Sequence, residues 1–235
     1  MMFKRKQRPM RTVARKLVTN TNPKSIVSEQ FRTVRTNINF SMPDKELKTL
    51  LFTSSSPGEG KSTSAANVAI VFAQEGKKVL LVDADMRKPT MHYTFHMTNT
   101  TGLSNLLTKQ STLGEVTKVI EIEGLSLITC GPIPPNPAEL IGSKSMDALL
   151  HELTSQYDLV IFDAPPLLSV ADAQILSNKC DGTILVVNSG VTEKESAIKA
   201  KELLMAAKAN ILGTLLNNFA LEKDHYYYQY YGTGE

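Results

Sequence analysis

At 235 residues, with 42% hydrophobic and 21% charged side chains, the chain is long enough for one large α/β domain and short for two. Its two cysteines, Cys130 and Cys180, form no CxxC pair, which argues against a disulfide framework and an iron–sulfur carrier and fits a reducing cytosol. No apolar run approaches the ~18–20 residues that span a bilayer, so any membrane role is expected to be peripheral or through a partner.

The net charge of +3 is unevenly spread. The first 28 residues carry eight basic side chains (Lys4, Arg5, Lys6, Arg8, Arg11, Arg15, Lys16, Lys24) and no acidic one, leaving 18 basic against 23 acidic residues in the body. A basic arm on an acidic body suits an anionic partner such as membrane lipid, nucleic acid or an acidic protein surface; a solvated leader is the plainer alternative. Residues 1–24 are poor in apolar side chains and read as a flexible arm. From Ile26, apolar residues recur at Phe31, Val34 and Ile38, the spacing of a helix of about four turns. "TLLFTS" (49–54) then reads as a buried strand, and residues 61–76 as a helix stopped by Gly76. "KVLLVDAD" and "GLSLITCG" are further strands. "NPAELI" opens a helix, with Asn136 as cap, Pro137 at its first position and Glu139 closing a capping box. "DLVIFDAPP", "DGTILVVN" and "ILGTLLNN" complete the strands, separated by two more helical stretches. Continuous apolar strands alternating with amphipathic helices predict an α/β fold, a doubly wound, mostly parallel sheet with helices on both faces. The predicted organisation is an arm (1–24), a P-loop domain (25–221) and a flexible tyrosine-rich tail (222–235).

The chemistry concentrates at "SSSPGEGKST", between the first strand and its helix. The pattern GxxxxGK[ST] is met at Gly60, Lys61 and Ser62, with Ser55 where the first glycine would stand. In the loop of Pro57, Gly58, Glu59 and Gly60, the glycines let backbone N–H groups turn toward a phosphate, and the following helix adds its positive end. Lys61 is placed to reach the β- and γ-phosphates and Ser62 to bind Mg²⁺. Asp83 and Asp85 share a face at the carboxyl end of a strand, where ligands gather in such sheets. Asp163 follows four apolar residues, the form of an aspartate that holds Mg²⁺ directly or through water.

The pairing of "LLVDADMR" with "PGEGKS" and "VIFDAPP" resembles the bacterial tyrosine kinases of exopolysaccharide synthesis, in the cytoplasmic type without its own transmembrane half. The resemblance runs over residues 25–235. It implies ATP and Mg²⁺ as cofactors, with Asp83 as base or orienter for the incoming tyrosine hydroxyl. Asp85 and Asp163 would serve the metal, and Lys61, Ser62 and Thr63 the phosphates. Glu29, Arg32 and Arg35 fit that family's ExxRxxR oligomerisation motif, which implies a homo-oligomeric ring. Asn217 and Asn218 are candidate adenine contacts, or strand-end turn residues. A membrane-anchored activator, a tyrosine phosphatase, protein substrates and a place at the inner face of the membrane are further implications.

The tail carries Tyr226, Tyr227, Tyr228, Tyr230 and Tyr231 with neither strand nor helix periodicity. Phenolic hydroxyls with pKa near 10 need help to attack phosphorus, and the reading is that these tyrosines are the kinase's own substrate. The alternatives are a sticky aromatic interface or a nucleic-acid stacking strip; the latter calls for interleaved Lys or Arg, absent from residues 225–235. A partition-type ATPase with the same sheet is the main rival overall. It would carry a signature lysine near the start of the P-loop, where this chain has Ser54, Ser55 and Ser56. A nucleotide-dependent scaffold of polysaccharide machinery is the other.

Overall fold

The computed structural model describes residues 15–43 and 45–220. In chain order the elements are α1 (Val18–Thr21), α2 (Ile26–Phe40), β1 (Thr49–Ser54), α3 (Lys61–Ala73), β2 (Val79–Asp83), α4 (Met91–Thr94), α5 (Leu103–Leu107), α6 (Leu113–Val116), β3 (Thr117–Val119) and β4 (Leu125–Ile128). They continue with α7 (Pro137–Gly142), α8 (Lys144–Gln156), β5 (Leu159–Asp163), α9 (Asp172–Ser177), β6 (Gly182–Asn188), α10 (Lys194–Ala206) and β7 (Ile211–Asn217).

The strands form one sheet in the order β3-β4-β2-β5-β1-β6-β7, parallel except for β3, which runs antiparallel to β4. β1, β2 and β5 are buried at every residue, which is why they read as unbroken apolar runs. Successive side chains go to opposite faces. Leu51, Val82 and Phe162 join one core with Leu103, Leu150, Leu176 and Leu204, and Phe52, Leu81 and Ile161 join another with Ala66, Ile70 and Phe72 of α3. In register, Asp83 of β2 lies beside Asp163 of β5, which itself lies beside Phe52 of β1. Two carboxylates are thereby fixed side by side at the sheet's carboxyl edge, next to the loop leaving β1.

α2 is capped by Ser25, whose Oγ accepts from the Ser28 backbone N–H at 3.2 Å. Phe31, Val34 and Ile38 pack on the core beneath, but Ile26 is 50% exposed and lies off that stripe. At α7, Pro137 takes the first helical position, whereas Asn136 makes no side-chain cap and donates from Nδ2 to Glu139 Oε2 at 3.2 Å.

The arm is a correction. Residues 15–24 were expected to be flexible, yet α1 lies there and packs on α3. The buried Thr19 donates from its backbone N–H (3.0 Å) and Oγ1 (2.9 Å) to Asn67 Oδ1. Asn67 Nδ2 returns a bond to the Lys16 carbonyl (3.1 Å), and Gln74 Nε2 donates to the Thr19 carbonyl (3.0 Å). α3 is apolar nearly all round and needs cover on its outer side too, and this strap with α2 supplies it. The strap is therefore part of the domain.

Candidate functional site

The loop between β1 and α3 turns through Gly58 (φ 85°) and Gly60 (φ 94°), both in the left-handed region where a side chain is strained. Gly60 is constrained twice, since a Cβ there would lie 2.0 Å from Asn217 Nδ2. Glu59 folds its side chain inward. Its carboxylate accepts from the Ser55 N–H (2.9 Å), Ser55 Oγ (2.6 Å) and Thr192 Oγ1 (2.8 Å), while Asn217 Nδ2 donates to its carbonyl at 3.0 Å. Ser55, the departure from the glycine pattern, thus ties the loop to its own Glu59. The loop is held from three sides before any ligand arrives.

Lys61 opens α3, and its Nζ lies 3.1 Å from Asp85 Oδ2, 3.2 Å from Asp163 Oδ1 and 3.2 Å from Ser62 Oγ. Burial works against its charge, yet the fields of Asp163, Asp85 and Asp83 outweigh it and hold the pKa above the ordinary lysine value. Asp85 Oδ1 also accepts from the backbone N–H groups of Arg87 (3.3 Å) and Lys88 (3.0 Å). Asp83 is fully buried. Its Oδ2 accepts from the Thr90 and Met91 N–H groups, both at 2.9 Å, and Oδ1 takes a longer contact of 3.3 Å from the Asp85 N–H. Burial, then the charge of neighbouring Asp163, push the Asp83 carboxyl up to about 7, against the pull of the Met91 N–H and Lys61.

Asp163 Oδ2 is buried and has no hydrogen-bond partner among the described residues. An orphaned carboxylate oxygen beside a second carboxylate and a serine hydroxyl is the donor set of a hard cation with several water ligands, so the residues fit Mg²⁺. A cavity of about 420 Å³ opens in front of the cluster, walled by Gly58, Gly60, Lys61, Ser62 and Thr63 on one side and by Asp85, Arg87, Lys88, Thr90, Pro165 and Pro166 on the other. Such a cavity suits a polyphosphate, with loop amides and a lysine facing carboxylates that fit a metal.

Comparison with known proteins agrees with this geometry. The family model described as AAA domain matches residues 47–195. The tyrosine-protein kinase YwqD of Bacillus subtilis is 53% identical over 99% of this chain and 97% of its own length. The putative tyrosine-protein kinase CapB of Staphylococcus aureus is 42% identical over 92% and 95%. The chain belongs to the bacterial tyrosine-protein kinases. Among solved structures, the kinase domain of the Escherichia coli tyrosine kinase Etk superposes with a TM-score of 0.85 at 33% identity, covering 89% of this chain and 82% of that one. The septum site-determining protein MinD of Pyrococcus horikoshii, in complex with Mg-ADP, shares the fold at a TM-score of 0.61 and 22% identity, covering 75% of this chain and 72% of that one.

Not every predicted residue of the kinase faces the cavity. Lys61, Ser62 and Asp85 line it; Asp163 touches Lys61 from a fully buried position, and Asp83, equally buried, does not line it either. Asn217 braces the phosphate loop, and Asn218, at φ 55°, donates to Asn188 Oδ1 at 3.0 Å; neither lines the cavity. On α2, Arg32 bonds within its own chain to Glu29 and to the Pro23 carbonyl (2.8 Å). Arg35 donates to the Val71 carbonyl of α3 at 2.8 Å and lies 3.4 Å from Glu75. Tyr226, Tyr227, Tyr228, Tyr230 and Tyr231 lie outside the described residues. The sequence reading noted Arg87 beside the two acids but gave it no partner; it grips the buried Asp172 through two bonds of 2.9 Å and pins the post-β2 loop to α9. The signal was a buried-facing aspartate at the start of a helix. Nothing in the local pattern connected it to an arginine 85 residues earlier.

Proposed function

We propose that this kinase uses ATP with Mg²⁺ to phosphorylate its own tyrosine cluster, Tyr226 to Tyr231, between subunits of a ring, and to phosphorylate other proteins. Regulation of exopolysaccharide synthesis is the role this reading gives it. The observation that carries it is Lys61, which with Asp85 lines a phosphate-sized cavity and is paired from behind with the buried Asp163.

The loop amides and Lys61 hold the phosphates, and Ser62, Asp85 and Asp163 would hold Mg²⁺, which when bound neutralises phosphate charge. The phenolic oxygen of the tyrosine bonds to the γ-phosphorus, the bond from that phosphorus to the β,γ-bridging oxygen breaks, and ADP leaves with its electron pair. The phenolic proton goes to a carboxylate. Asp83, the carboxylate two residues before Asp85, is the group this reading assigns to that role. A shift of Asp85 on nucleotide binding is needed to uncover it. Asn217 and Asn218 sit on the β7 side of the loop, where adenine would lie once their present hydrogen bonds are exchanged.

No helix among the described residues is long and apolar enough to cross a membrane. A membrane-anchored activator with an acidic or lipid-facing site for the basic arm would bring the kinase to the inner face of the membrane, and a tyrosine phosphatase would reset it. The test is incubation with ATP and Mg²⁺ followed by phosphotyrosine blotting and mass mapping of the tail. Labelling confined to Tyr226 to Tyr231, with a Lys61→Met protein labelled by a tail-less active one, supports the reading. ATP turnover with no phosphotyrosine would leave a positioning-type ATPase in its place.

A further inference from the structure

Arg15 enters this site from an unexpected direction. It precedes α1, in the strap that Thr19, Asn67 and Gln74 fasten to α3, and its side chain lines the phosphate cavity. Asn67 also donates to the Thr63 carbonyl at 2.9 Å, so one amide ties Lys16, next to Arg15, to the first turn of the P-loop helix. Arg15 Nη1 is buried and has no hydrogen-bond partner among the described residues. No carboxylate among them lies within ion-pair distance of it, in contrast to Lys61 and Arg87. A half-buried guanidinium with an idle, dehydrated nitrogen is costly unless an anion completes it.

The direction of approach indicates which anion. Arg15 also lines a groove formed by Thr94, Phe95 and Ile120, which places it on the β2–β4 side of the cavity. Asp83 and Asp85 end there, while Asn217 lies at the far side of the loop on β7. In the proposed binding mode the loop amides and α3 take the inner phosphates, so a group arriving from the β2 side meets the outer end of the phosphate chain. We infer that Arg15 is a catalytic arginine supplied in cis, which binds the γ-phosphoryl group and the charge that builds on it during transfer. The strap is then a catalytic element and not only a leader. This rests on the proposed phosphotransfer reading. Planar, always-charged guanidinium suits three equatorial phosphoryl oxygens better than an ammonium does.

The experiment uses the full chain with Mg²⁺, comparing wild type, Arg15→Ala and Arg15→Lys. Initial rates of phosphotyrosine formation and of ATP hydrolysis are measured across ATP concentrations. Calorimetry gives affinities for ADP and for the imido analogue of ATP, and thermal melts confirm folding. Arg15→Ala should lower kcat by about 10²–10³-fold and weaken the analogue about tenfold, with ADP affinity within about twofold of wild type. Arg15→Lys should recover part of the kcat loss, and it carries the comparison if the alanine variant does not fold. A kcat within about threefold of wild type, or ADP affinity falling as far as the analogue's, overturns the assignment. If wild type hydrolyses ATP but labels no tyrosine, the kinase reading fails by itself, and the hydrolysis rates of the variants still judge Arg15.

Discussion

α3 and α10 are both 13 residues long and both cover the sheet, yet they live in different surroundings. Every residue of α3 except Thr63 is buried, whereas α10 buries only Ala200 and Leu204. The difference is a second layer. α2 and the strap lie over α3, and nothing among the described residues lies over α10 in the same way. The helix that presents Lys61, Ser62 and Thr63 is thus fixed on its sheet side, its flanks and its back. A phosphate cradle has to be rigid before the ligand arrives, because catalysis by fixed charge fails when the charges must reorganise. Substitutions along α3 should therefore be felt in chemistry and stability together, and substitutions at the exposed positions of α10 in neither.

The largest effect is expected at the first residue of α3. Lys61→Met removes the cation shared by Asp85 and Asp163 and, in the proposed mechanism, the charge that meets the transferring phosphoryl group. Phosphotyrosine formation should fall by about 10²–10³-fold, some 3–4 kcal/mol. Lys201→Ala on exposed α10, measured by the same blot, should stay near wild type. Comparable losses in the two variants would erase the contrast between the helices.

The next test goes to the strand end beneath. In the nucleotide-free protein, the folded-state pKa of Asp83 is about 7 against an ordinary 3.8, so the folded state binds this proton more tightly than the unfolded state does. The resulting stabilisation is complete below about pH 4 and is lost as pH rises through about 7. Asp83→Asn keeps an oxygen for the Thr90 and Met91 N–H groups but has no proton to lose. Its melting temperature relative to wild type should climb between pH 5 and pH 8 and then level off, while tyrosine labelling is abolished. A difference that stays flat with pH would mean Asp83 does not titrate in that window.

The same contrast explains what the sequence made legible. The strand ends carrying Asp83, Asp85 and Asp163 could be placed because short apolar runs terminating in acids have few other readings, and α10 could be placed by its amphipathic spacing. α8, with Met146, Leu149, Leu150 and Leu153 at helical intervals, carried the same signal and was passed over between better-marked elements. β3 was out of reach, since three partly exposed residues on an antiparallel edge show no pattern. The strap was missed for a different reason. "ANVAIVFA" is apolar on every side of a helix, so something beyond the sheet had to cover it, but local composition at residues 15–24 spoke only of charge. Thr19 and Asn67 are 48 residues apart, and no window short enough to show periodicity contains both.

Asn67→Ala attacks that second layer directly. It leaves the Thr19 N–H and hydroxyl, and the Lys16 carbonyl, without their side-chain partner in a buried site. A cost of about 2–3 kcal/mol is expected in urea unfolding, together with new protease cleavage within residues 15–24. Glu202→Ala on α10 should change stability by less than about 0.5 kcal/mol. Unchanged proteolysis in Asn67→Ala would show that other contacts hold the strap.

The smallest expected effect separates two uses of one arginine. Arg35 belongs to the motif proposed to join subunits, yet here it holds α2 to α3 through the Val71 carbonyl and Glu75. A hydrogen bond from a charged donor to a partly buried carbonyl is worth about 1.5–3 kcal/mol, and its exposed ion pair adds little. Arg35→Ala should therefore lower stability by about 1–2 kcal/mol even at dilutions where no ring persists. Among the described residues Arg32 reaches only Glu29 and the Pro23 carbonyl at the exposed side of α2, and Arg32→Ala should leave monomer stability within about 0.5 kcal/mol while shifting light scattering toward smaller species. If Arg35→Ala also leaves the monomer unaffected, its bond to Val71 contributes nothing to the fold and the residue is free for the subunit interface alone. If Arg32→Ala leaves assembly intact, the proposed use of this helix as the subunit interface fails.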